Sequence, residues 1–231
     1  MIDAPALFDA FGPLDLAALA LLFGGWARME ALVRPKPGKT PATAEIMARW
    51  RARWFAQTAL RENRIMDAQL VGSLRSGVAF FISGALLALG GAIALIGQAD
   101  RVASVAVDLA GAETAPSAIW TLKLLLVIAV LAVAFLHFVW SHRIFGYCEV
   151  MVGAIPPHDD PEAPRVAARA ARMNVLAARS FNRGLRAIYF ALAALAWLLG
   201  PVALALASAL TLWMLYRREF LSDTRRAALE D

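Results

Sequence analysis

Cysteine and histidine are scarce in this chain. Cys148 stands alone among 231 residues, so no internal disulfide can form, and no CxxC or Cys/His cluster has the spacing of a metal site. There are three histidines; His137 and His142 are five positions apart, which on one helix turns them away from each other and leaves no paired haem ligation. The chain also lacks HExxH, GxSxG, GxGxxG and P-loop patterns, which argues against a hydrolase or transferase. No cofactor is expected. Lys and Arg are missing from residues 1–13, so the opening segment has no basic region of the secretory type and the first apolar run is expected to be retained.

Apolar residues are abundant. They make up 60% of the chain, against roughly 45–50% in an ordinary soluble domain, and mean hydropathy is +0.60. They are bunched into long runs, and hydrocarbon tolerates only backbone whose hydrogen bonds are closed internally, so the runs read as spanning helices. The expectation is an all-α, polytopic membrane helical bundle forming one domain over 1–231, with spans at 14–33, 77–97, 119–140 and 187–216. Helical cytoplasmic segments are expected at 43–76 and 162–186. The last run is too long for one straight span. Gly200-Pro201 interrupts it, giving either one kinked helix, which short halves of about 13 and 16 residues favour, or a hairpin.

In the second run Gly77, Gly84 and Gly91 recur at every seventh position, the pattern of a close-packing stripe between helices, inside one chain or between copies, with a ligand groove as the minority alternative. Between the spans, Val102 to Leu109 has the composition of a short surface helix. Trp50 and Trp54 share a helical face toward headgroups or the bundle. Arg165, Arg169, Arg172, Arg179, Arg183 and Arg186 follow alternating steps of four and three, with Leu176 at the missing place. They form one stripe, either a solvated face or a face laid on anionic headgroups.

Nine Lys or Arg lie between Arg34 and Arg75 and seven between Arg143 and Arg186, whereas the stretch from Gln98 to Ala118 carries one. The positive-inside bias then puts both basic stretches in the cytoplasm of a bacterial inner membrane, with both termini periplasmic if the last run is one helix. Arg217 and Arg218 sit awkwardly in that scheme. The same bias accounts for the net charge of +5 without a nucleic-acid partner.

Ionisable residues in or beside spans need an account, because isolated charge in lipid is costly. Asp15 and Lys123 fall at the same outer depth, where they pair with each other or act as a helix cap and a snorkelling amine. Arg28 and Glu30 share the inner depth with His137, His142 and Arg143. Asn63, Asp67 and Gln69 precede the second span, and Asn182 and Arg186 the fourth, so Asp67 is expected to pair with Arg186 or Arg143.

Three stretches carry a resemblance: Arg61-Glu62-Asn63-Arg64-Ile65-Met66-Asp67-Ala68-Gln69; Phe138-Val139-Trp140-Ser141-His142-Arg143; and Phe181-Asn182-Arg183-Gly184-Leu185-Arg186 with the later Trp197-Leu198-Leu199-Gly200-Pro201 and Tyr216-Arg217-Arg218-Glu219-Phe220. The chain resembles, from Leu14 to about Ser222, an uncharacterised family of multi-spanning membrane proteins, the domain of unknown function five-nine-nine. That resemblance implies a polytopic membrane protein and no activity. The expected function is a non-enzymatic structural or interaction component, partnered by the bilayer with its anionic headgroups and by a second copy or another membrane protein. A small-solute or ion transporter or channel subunit is the alternative.

Overall fold

The computed structural model describes residues 11–35, 40–110 and 117–229, and among these every regular element is a helix. In chain order they are α1 (Pro13–Val33), α2 (Thr43–Ala59), α3 (Ile65–Ile96), α4 (Ala99–Ala110), α5 (Ser117–Gly153), α6 (Ala163–Leu195), a 3-10 turn (Ala196–Leu199), α7 (Pro201–Phe220) and α8 (Asp223–Ala227). Helices α1, α3 and α5 are long and apolar enough to cross a membrane. The expected surface helix is α4. Of the expected loop features, Lys36 to Lys39 and Glu113 lie outside the described residues.

The chain divides into two compact units. The first comprises Met1–Leu32, Ala85–Ala134 and Arg186–Tyr216. Here α1 buries Ala18, Leu22, Gly25 and Met29, one stripe at steps of four, three and four. Its neighbours show how the last run is folded. Glu30 near the end of α1 meets Arg186, Trp26 stacks on Phe190 at 5.4 Å, and Asp15 at the start of α1 meets Trp197. So α6 ascends antiparallel to α1. Gly25 then lies against Leu212, which means that α7 runs back down beside α1. The segment 187–216 is a hairpin, and the expected single kinked helix is wrong. Gly200 is the reason: its φ of 109° is open to glycine and strained for other residues, and Pro201 starts the return helix at a position where its missing N–H costs nothing.

Within the chain the glycine stripe is not what packs α3 against its neighbours. The buried apolar positions of α3 are Val71, Val78, Ala85 and Ala92, spaced by seven, and each glycine of the stripe precedes one of the last three. Gly77, Gly84 and Gly91 are exposed, and a Cβ at any of them would meet nothing within 4 Å. A buried helix face at ordinary separation needs a Cβ to fill the contact, and valine and alanine supply it here.

The second unit comprises Val33–Gly84, Phe135–Leu185 and Arg217–Asp231. Phe81, Phe138 and Phe181 form a three-ring cluster with centroids 5.1–5.6 Å apart. Gly184 admits the Phe138 ring, since a Cβ there would stand 2.6 Å from it. Helices α5 and α6 are further joined where Ser141 Oγ donates to the Ala177 carbonyl at 2.8 Å and Ser180 Oγ to that of His137 at 2.9 Å. The end of the chain returns to α2. Thr43 Oγ1 donates to the Glu219 carbonyl at 3.0 Å, and Trp50 Nε1 to that of Ala228 at 3.0 Å. The C-terminal segment therefore lies on the side of α2, among the basic helices.

Candidate functional site

The ionisable residues flagged in the sequence are gathered into clamps, first within the first unit. Arg186, at 6% exposure, donates to both Glu30 oxygens, from Nε at 2.6 Å and Nη2 at 3.1 Å. This fork-to-fork geometry suits a partly buried pair, because it satisfies both groups without water. Asp15 and Lys123 do not form an ion pair. Both reach Trp197 instead: its indole N–H donates to Asp15 Oδ1 at 2.6 Å, and its carbonyl accepts from Lys123 Nζ at 3.1 Å. The same carbonyl accepts the N–H of Gly200, so a lysine sits at the negative end of the helix just before the reversal. Lys123 Nζ also lies 4.9 Å from the Trp120 ring centroid and 5.5 Å from that of Trp197.

In the second unit the centre is Asp67, fully buried in the first turn of α3, where the helix dipole favours a carboxylate. Three donors converge on its Oδ1: Trp54 Nε1 at 2.6 Å, Thr58 Oγ1 at 3.0 Å and Arg61 Nη1 at 2.5 Å. Oδ2 is buried with no hydrogen-bond partner among the described residues. Arg64 gathers carbonyls, donating at 2.7 Å to both Ile155 and Pro156 and at 3.1 Å to Thr58, so one guanidinium joins the ends of α2 and α5. Arg51 donates to Asn174 Oδ1, while Asn174 Nδ2 lies 3.7 Å from Cys148 Sγ. Burial pushes the Arg51 guanidinium below its ordinary value. Arg75 joins α3 to α5, with Nη1 donating to Glu149 at 2.7 Å and Nε to His142 Nε2 at 3.3 Å.

The expected pairing of Asp67 with Arg186 or Arg143 is therefore corrected: Asp67 takes Arg61, Arg186 takes Glu30, and Arg143 donates to Tyr147 Oη at 2.5 Å. The reason is proximity, because the turn between α2 and α3 places Arg61 beside the first turn of α3. Asn63 Oδ1 accepts from the Ile65 N–H at 2.9 Å and so starts α3. Arg28 and Gln69 are exposed, Asn182 is half-buried, and His137 offers its carbonyl to Ser180. The residues missed from sequence include Trp197, Arg61, Thr58, Arg51, Asn174, Arg75 and Glu149. Gly72 and Gly146 are the sequence signal for the last pair, since Gly72 lies beside the Glu149 carboxylate and Gly146 beside the Arg75 guanidinium. Among the described residues no three His, Cys, Asp or Glu side chains are arranged to hold a metal ion.

The clamps tie helices together, and the fold defines a class: an all-helical protein with three helices long and apolar enough to cross a membrane. The family follows from comparison with known proteins. The chain belongs to the family described as "Protein of unknown function, DUF599", whose model matches residues 17–224. No curated protein and no solved structure matches it.

Proposed function

We propose that this protein is a non-enzymatic structural or interaction component of the bacterial inner membrane. It crosses the bilayer with α1, α3, α5 and the two arms of the hairpin about Gly200, its N-terminal end outside and its basic helices and C-terminal end in the cytoplasm. The observation that carries this reading is the interior of the first unit. Between the Trp197 clamp and the Glu30–Arg186 clamp the buried positions are apolar, among them Leu22, Val127, Phe190 and Leu204. Ser208 is the buried hydroxyl among them. A conduit needs a continuous polar path, and an ion entering here would meet hydrocarbon. The basic helices suit anionic headgroups and a partner copy or membrane complex.

Pure protein in proteoliposomes is expected to pass ions and small solutes no faster than empty vesicles, and gentle extraction from native membranes is expected to bring out a homo-oligomer or a stable companion. Sustained flux would instead establish the transporter or channel reading. Monodisperse, solitary protein would remove the interaction role.

A further inference from the structure

In the second unit a groove of about 690 Å³ lies between α2 and α6, within the range of small-molecule sites. Alanines make its floor: Ala48, Ala52 and Ala56 of α2 face Ala168 and Ala171 of α6. They recur at steps of three and four, so each helix presents one face to the gap, and methyl groups are too short to close it. The walls are pinned where Arg51 donates to Asn174 and where Ala59 packs with Ala163 and Ala167. An apolar floor left open to water is unfavourable, and Ala52, Ala56 and Ala168 are exposed.

Charge on the rim narrows the occupant. Arg172 and Arg179 line the groove and have no hydrogen-bond or ion-pair partner among the described residues, while the rim carboxylate, Glu45, is held by Arg49 at 2.9 Å. Two uncommitted guanidinium groups above hydrocarbon suit a phosphate that carries an alkyl chain. Pro35, two residues beyond the end of α1 in the sequence, also lines the groove. From Pro164 to Arg179 the α6 wall runs about 22 Å, enough for an acyl chain that fills one leaflet of about 15 Å.

We infer that this groove binds one anionic phospholipid, with an acyl chain on the alanine floor and its phosphate between Arg172 and Arg179. Within the sequence these arginines belong to the basic stripe, and Leu176, at the stripe's missing position, supplies apolar wall between them. The inference deepens the membrane reading and rests on it.

The test uses full-length protein, delipidated in detergent and placed in phosphatidylcholine nanodiscs with added phosphatidylglycerol, with retained lipid counted by native mass spectrometry. The parent is expected to retain phosphatidylglycerol in preference to phosphatidylcholine. Each arginine near an anionic headgroup is worth about fivefold in affinity, so R172Q/R179Q is expected to weaken retention roughly 25-fold. A168F fills the floor while keeping both arginines, and is expected to abolish retention with the melting temperature unchanged. R165Q, outside the groove, is the control and is expected to retain lipid as the parent does. Equal retention in parent and A168F would overturn the site, as would absence of a phosphatidylglycerol preference in the parent. A second copy or an acidic protein found seated at Arg172 and Arg179 would overturn it too. Resistance of the chain to carbonate extraction tests the membrane reading separately, so the two failures are distinguishable.

Discussion

Asp67 accepts three hydrogen bonds on one oxygen and contributes a buried charge opposite Arg61, so its removal leaves several groups desolvated at once. D67A is expected to lower stability by about 3–5 kcal/mol, the range for breaking a buried pair from one side. Two residues on, exposed Gln69 gives a matched control: Q69A should stay within about 0.5 kcal/mol of the parent. Thermal unfolding followed by circular dichroism in detergent compares them, and coincident curves for D67A and Q69A would refute the network. Lys123 belongs to the same scale. K123M takes the donor from the Trp197 carbonyl and is expected to cost about 1–3 kcal/mol, seen as a smaller drop in melting temperature. Counting along two helices sets Asp15 and Lys123 near each other, and both contact Trp197. That both would bind Trp197 was illegible, because the tryptophan comes to them through a chain reversal.

At the scale of helices, glycines divide by what a Cβ would meet. Gly184 faces the buried Phe138 ring, so G184A must displace a packed side chain at an expected cost of about 1–3 kcal/mol, whereas Gly25 faces the flexible end of Leu212, which can move aside for G25A at lower cost. G84A meets open space and is expected to be neutral or to gain up to about 1 kcal/mol from helix propensity. Equal melting temperatures for G184A and G84A would contradict these packing assignments. Gly200 is a different case, since its backbone and not its neighbours excludes a side chain. G200A is expected to cost about 1–3 kcal/mol through strain at φ 109°, read as a fall in folded yield and melting temperature. Periodicity identified the long helices well. Within the chain it could not choose the packed face of α3, because a spacing of seven marks two adjacent faces equally, and only packing selected the one bearing Val78, Ala85 and Ala92.

For the whole molecule, the hairpin changes the predicted topology. On the proposed topology Arg217 and Arg218, which share a unit with α2 and the basic start of α6, satisfy the charge bias that a single kinked helix would violate. A GFP fused after Asp231 should fluoresce and an alkaline phosphatase at the same point should be inactive, while phosphatase inserted after Gln98, between α3 and α4, should be active. An active C-terminal phosphatase would sink the hairpin topology. The same result would place Arg217 and Arg218 outside.

Local properties of the chain determined which segments are helical, which of them are apolar, where the basic residues gather and where the last run must break, because these follow from hydropathy, periodicity and the backbone limits of Gly200-Pro201. Tertiary structure alone decided that the break reverses the chain, that Glu30 takes Arg186 while Asp67 takes Arg61, and that the glycines of α3 face outward. Those outcomes depend on which helix faces arrive together. A break permits both a kink and a reversal, a charge has several partners at one depth, and only simultaneous packing of all the helices selects among them.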